Sequence, residues 1–165
     1  LPTPKGRVKS PVMSPDESKI AYWISGRTRP PGEKTIFMDF DIREFDLASG
    51  RDALFTGPYR FFEAHTLHYK TADILIANAY APLAFVTSMG PYRNKYGSSS
   101  IYFFERGEHK FPVPAYSAMP SATSPSAAKD GRIYLRGSPK ESGQSLIETA
   151  DEIEVRRWPV PQWSD

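Results

Sequence analysis

A chain of 165 residues that is 39% hydrophobic and 13% aromatic can bury the core of one domain or a substantial part of a larger one. Its formal charge of +2, with no lysine- or arginine-rich run, gives no reason to expect a nucleic-acid partner. Zero cysteines exclude disulfides, thiolate catalysis and cysteine metal sites.

The 16 prolines and 11 glycines are scattered between apolar stretches, a composition of many turns, and no amphipathic helix stands out. The start at Leu1, without methionine, fits a processed or trimmed N-terminus. An extracytoplasmic, for example periplasmic, setting is therefore expected. Residues 1–7 read as an arm that packs little, with Val8 and Val12 at the edge of a first strand.

Lys19 to Ser25 alternates, placing Ile20, Tyr22 and Ile24 on one face and Ala21 and Trp23 on the other. Both faces are apolar, as expected where sheets stack on one another. Ser25 to Lys34 is a loop, and Thr35 to Leu47 a long strand whose alternation breaks at Arg43-Glu44, the phase slip a β-bulge would give. Ala48-Ser49-Gly50 then turns the chain into Arg51 to Thr56, and Gly57-Pro58 closes a first unit.

The second unit opens with Phe61, Phe62, Leu67 and Tyr69, continues with Ile74 to Ala79 and reaches Ile101 to Phe104 across the polar loop Ser88 to Ser100. The longest nearly apolar run, Ile74 to Val86, contains Asn78 and Pro82 and is too short for a transmembrane helix. Ser117 to Ala128 reads as a solvated linker. Beyond it, Ile133 to Arg136 is expected to pair with Ile153 to Trp158 across the loop Gly137 to Ser145.

Recurrence organises these pieces. The turns at Asp16-Glu17-Ser18, Thr71-Ala72-Asp73 and Asp130-Gly131-Arg132 each precede an apolar strand, and 57 residues separate each aspartate from the next. Three units result, approximately 8–57, 58–116 and 117–163, of one domain over 1–165. Asp16, Asp46, Asp73 and Asp130 read as turn formers whose carboxylates accept local backbone N–H bonds.

The pattern Ser14-Pro15-Asp16-Glu17-Ser18-Lys19-Ile20-Ala21-Tyr22, followed by Ile42 to Asp46-Leu47-Ala48-Ser49-Gly50-Arg51, resembles the repeat of TolB-type β-propellers. In that repeat a Ser-Pro-Asp-Gly turn precedes one strand and an Asp-Leu-x-Thr-Gly turn follows another. Glu17 stands where the repeat has glycine. The third unit keeps Asp130-Gly131, and the second keeps only Asp73 and its strand pattern. The resemblance implies an all-β fold of about three β-propeller-like blades of antiparallel strands, an incomplete or unusual propeller, since propellers typically close with four to eight. Two sheet faces are then left open, so that the chain is a fragment, or its flanks are covered by other protein, or it closes in an unusual way; covered flanks or a larger assembly are favoured.

Chemistry is sparse. His65 and His68 would point to opposite faces of a strand, and His109 follows a turn glycine. Asp39 and Asp41 share a strand face but lack a glycine-rich calcium loop, so no metal site is assigned. There is no Gly-x-Ser-x-Gly, no phosphate-cradling loop and no dinucleotide fingerprint, so no catalytic residue or cofactor is assigned either. If the units are blades, the loops between their second and third strands share one rim. That rim would carry Arg27, Arg29, Lys34, Tyr92, Arg93, Lys95 and Tyr96, residue types suited to a protein or anionic partner. A solvated loop face is the plain alternative.

The expected function is a non-enzymatic accessory or scaffold subunit that binds other protein subunits in a larger, extracytoplasmic or membrane-associated assembly. Any membrane association would be peripheral, through partners. The gating propeller of a prolyl-oligopeptidase-like or tricorn-like serine peptidase, and a carbohydrate or small-ligand binding module, are the alternatives.

Overall fold

A computed structural model describes residues 6–28, 37–55, 61, 64–79, 100–107, 115, 123–128, 130–137, 145–150 and 153–159. Among these residues every regular element is a β-strand, and the strands form three antiparallel meanders that do not close on themselves. The first sheet runs β1 (Val8–Met13), β2 (Lys19–Thr28), β3 (Phe37–Asp46), β4 (Asp52–Leu54). The second is β5 (Ala64–Tyr69), β6 (Ile74–Ala79), β7 (Ser100–Glu105). The third is β8 (Thr123–Ala127), β9 (Ile133–Gly137), β10 (Ser145–Ala150), β11 (Ile153–Pro159).

The hairpin turns follow from short side chains that replace missing backbone partners. Asp16 accepts the Ser18 N–H at 3.2 Å and the Ser14 and Ser18 hydroxyls at 2.6 and 2.8 Å. Those hydrogen bonds, the Ser14 hydroxyl's first, lower its pKa to about 2. Asp46 accepts the Ser49 N–H at 2.7 Å, and Asp130 the Arg132 N–H at 3.2 Å. Glu17 holds a left-handed φ of 58°, and Gly131 repeats that conformation at 85° in the third sheet. Gly50 and Gly107, 57 residues apart, both take positive φ after the third strands of their sheets.

The sheets stack in chain order. β1 lies against β5 and β5 against β8, so the first strand of each meander sits beside the first strand of the next. Alternation along β6 gives the middle sheet two buried faces: Leu75, Ala77 and Ala79 join Trp23, Ile42, Phe61 and Tyr102 in one core, and Ile76 joins Ile101, Ile133, Leu135 and Ile147 in the other. Phe61 sits at the centre of the first core, edge-on to Trp23, Tyr102 and Phe104 at 5.4–5.5 Å. Each sheet thus has a forward face, toward its successor, and a rear face.

Four expectations need correcting. First, no bulge interrupts β3, because its pairing with β2 is continuous from Lys19↔Asp46 to Thr28↔Phe37. Glu44 keeps phase with Phe40 and Ile42 on the forward face, and the break in apolar alternation is a buried carboxylate. Second, β9 pairs with β10, which the sequence did not announce, and β11 is that strand's other neighbour. Third, Phe61 bridges to Phe40 at the edge of the first sheet, so it does not open the second unit's strand. Fourth, the Ser117 to Ala128 stretch contains a strand, β8, whose buried Pro125 is tolerated on a sheet edge.

One aspartate also departs from its expected role. In the middle sheet the Thr71 hydroxyl accepts the Asp73 and Ile74 N–H groups at 3.3 and 3.1 Å, and Asp73 accepts Arg106 Nε at 3.0 Å instead. The equal spacing of the three aspartates therefore mixes two turn chemistries.

Candidate interaction surface

Of the rim residues expected to bind a partner, Arg27 lies on β2, its backbone paired with Met38 where the strand departs toward the second-to-third-strand connection. Arg29, Lys34, Tyr92, Arg93, Lys95 and Tyr96 lie outside the described residues, as does His109. His65 and His68 are on β5, where a register shift between Ala64 and Leu67 sets simple alternation aside. Burial lowers the His68 pKa. Asp39 and Asp41 share one face of β3, Asp39 fully buried. Among the described residues no group of three or more His, Cys, Asp or Glu is placed to hold a metal ion, and no helix is long and apolar enough to cross a membrane.

A different surface emerges when the sheets are aligned on the bonds that close their first hairpins. Ser14 N–H to the Lys19 carbonyl, Lys70 N–H to Ile74 and Ala128 N–H to Arg132, at 2.8–2.9 Å, make Lys19, Ile74 and Arg132 equivalent. Strand register then carries the equivalence across each forward face. Ala21, Ile76 and Tyr134 match, as do Trp23, Asn78 and Arg136, and on the third strands Ile42, Ile101 and Leu146 match. Glu44, Phe103 and Glu148 complete the set.

The first two forward faces are covered by the sheet that follows. Ile42 and Ile101 are 0% and 2% exposed; Leu146, in the same place on the third sheet, is 42% exposed. Glu44 reveals what a covering sheet supplies. It accepts the Tyr69 hydroxyl at 2.6 Å and Arg106 Nη2 at 2.9 Å, with Arg106 Nη1 on its other oxygen, so both donors come from the next sheet. Burial and the Glu44 carboxylate raise the Tyr69 pKa, and the hydrogen bond to Glu44 is the first cause of the raised Arg106 pKa. Glu148, equally withdrawn from solvent, is instead served from within its own sheet by Arg132 Nη1 at 2.9 Å.

Around Glu148 the third forward face is built of arginines and rings. The Arg132 guanidinium lies 6.0 Å from the Tyr134 ring centre, Tyr134 stacks on Trp158 at 6.5 Å and 28°, and Arg156 lies 5.4 Å from the Trp158 ring centre. Asp130 holds the other side of Arg132, with Oδ2 at 2.6 Å from Nη2 and 2.8 Å from Nε, and its hydrogen bond is the first cause of the raised Arg132 pKa. The ladder packs rings and guanidinium planes against one another along the sheet. Arginine, tryptophan and tyrosine are the residues that dominate interface energetics.

The sequence did carry a signal for this surface. Arg132, Tyr134 and Arg136 alternate at period two, and so do Arg156 and Trp158. They come together only through β10, the strand left unrecognised.

No protein family, curated protein or solved structure matches this chain.

Proposed function

We propose that the chain is a non-enzymatic, β-propeller-like module of the TolB type that mediates protein–protein interaction, and that the forward face of its third sheet is the principal docking surface. One observation carries the reading: Leu146 is 42% exposed at the position where Ile42 and Ile101 are covered by a following sheet. The surrounding residues support a protein as the occupant. Leu146, Tyr134 and Trp158 offer apolar area, whereas Glu148 and Asp130 beside the arginines would repel a polyphosphate. The rim of Arg27, Arg29, Lys34, Tyr92, Arg93, Lys95 and Tyr96 is kept as a second contact region, and an extracytoplasmic, membrane-peripheral assembly as the setting.

The test is co-purification of a tagged chain from cells that express it. Wild type recovers a protein partner in stoichiometric amount, and Leu146→Arg, with unchanged circular dichroism, recovers at least tenfold less. Equal recovery by the two chains overturns the reading.

A further inference from the structure

We infer that the contact between the second and third sheets is a proton-sensitive seam: protonation of His68 loosens the third sheet from the second, while the first and second stay joined.

The two seams differ at one equivalent position. Counted back from the bonds that close the first hairpins, Val12, His68 and Ser126 occupy the same place on β1, β5 and β8. Their cross-strand partners, Ala21, Ile76 and Tyr134, are the set already matched by register. Val12 packs against the core between the first two sheets. In the next seam its counterpart is an imidazole. Leu67 and Tyr69, on either side of His68, both belong to the first core, which turns half-buried His68 to the forward face beside Ile76 of the second core. β8 of the third sheet packs against β5 there.

The surroundings favour the neutral ring. Burial holds the His68 pKa below its ordinary 6.5. On the same face β6 and β7 present Ile76, Asn78, Ile101 and Phe103, and β8, from Thr123 to Ala127, has no titratable residue. Lys70, two residues on, has Nζ 5.0 Å from the Phe103 ring centre, so it lies on this face and repels an imidazolium. From the third sheet the described charges on the facing side are Arg157 and Glu154, paired with each other on β11, three strands from β8. Lys9 and Glu44 of the first sheet reach β5 from its other side, at the Ala64 carbonyl and the Tyr69 hydroxyl.

This seam is also the more easily opened. The first is tied by Glu44 to Tyr69 and Arg106, and by the Ser10 hydroxyl to the His65 carbonyl at 2.6 Å. In the second, Phe103 stands in the place of Glu44 and Asn78 in that of Trp23, and Asn78 Nδ2 is buried without a hydrogen-bond partner among the described residues. Opening it therefore hydrates a polar group, whereas opening the first breaks an ion pair. Once open, the imidazole regains its ordinary 6.5, so opening becomes more favourable as pH falls below that value, by up to about tenfold per pH unit until the closed-form pKa is reached.

Hydrogen–deuterium exchange of the intact chain between about pH 7.5 and about pH 5.5, corrected for the intrinsic exchange rate, tests this. A sheet deprived of the face it packs on does not hold its ladder. Amides of β9 and β10 are expected to lose at least about threefold of their protection, toward a limit of about tenfold, while those of β2 and β3 keep theirs. His68→Gln removes the pH dependence, and His68→Leu does so where glutamine impairs folding. His65→Gln and His109→Gln, the other two of the three histidines, retain it. A smaller loss in β9 and β10 overturns the inference. So does an equal loss in β2 and β3, which means the whole chain opens, or a pH dependence that survives both His68 variants. A proton-NMR titration of His68 with its midpoint at or above 6.5 overturns it as well.

Discussion

Replacing Glu44 by alanine tests how the first two sheets are held together. The carboxylate is 8% exposed and receives three hydrogen bonds from the second sheet, one from Tyr69 and two from Arg106. Breaking a fully buried ion pair costs about 3–5 kcal/mol. Here the Arg106 side chain is 34% exposed and retains Asp73 Oδ1 at 3.0 Å and the Ala72 carbonyl at 2.7 Å, so its stranded charge stays mostly solvated and paired. The remaining loss is the Tyr69 hydroxyl's acceptor and two charge-assisted bonds, together about 2 kcal/mol. For a chain of this size that is a fall of about 4–8 °C in Tm. Glu44→Gln keeps the shape and one acceptor and should cost about 1 kcal/mol. Chemical denaturation of both variants, with Arg106→Gln to complete a double-mutant cycle, should give a coupling of about 1 kcal/mol or more. A loss under about 0.5 kcal/mol for Glu44→Ala, within the range of surface substitutions, would refute the inter-sheet role.

Two further predictions concern the turns. Glu17 occupies φ 58° where Gly131 occupies the same conformation in the third sheet. Glu17→Gly should therefore raise stability by up to about 1 kcal/mol, backbone strain being relieved by more than the unfolded chain gains in entropy, while Gly131→Ala lowers it; thermal denaturation of both variants checks the sign. Asp16, held at a pKa of about 2 by its hydrogen bonds to Ser14 and Ser18, favours the folded state above its ordinary value of 3.8. That contribution is lost as pH falls from 3.8 toward 2, because the unfolded chain takes up the proton first. Stability measured through this window should fall less steeply for Asp16→Asn than for wild type.

Much of the fold was legible because strand alternation is local. Ala21, Trp23, Tyr22 and Ile24 are all buried, two on each face of β2, which is what apolar residues on both sides of a strand imply. The misreadings arose where a residue's reason lies in another sheet. Glu44 looked like a break in pattern because its partners, Tyr69 and Arg106, are 25 and 62 residues away. Ser145 to Ala150 hides β10 because a single apolar pair, Leu146-Ile147, sits among polar residues; Thr149 and Glu148 are buried there with the Ile133 carbonyl and Arg132 as partners. Without β10 the arginine-aromatic ladder was two unrelated fragments. Phe61 was assigned to the nearer segment in sequence, whereas its ring is the hub of the core between the first two sheets.

Site-specific photo-cross-linking at position 146, in the intact chain under native conditions, tests the docking role of the third sheet's forward face most directly. A photoreactive residue there should form an adduct with protein in high yield, and the same residue at the exposed turn position 48 should form little. Equal, low yields at the two positions would mean that the third sheet's forward face meets solvent alone, which contradicts a docking role for it.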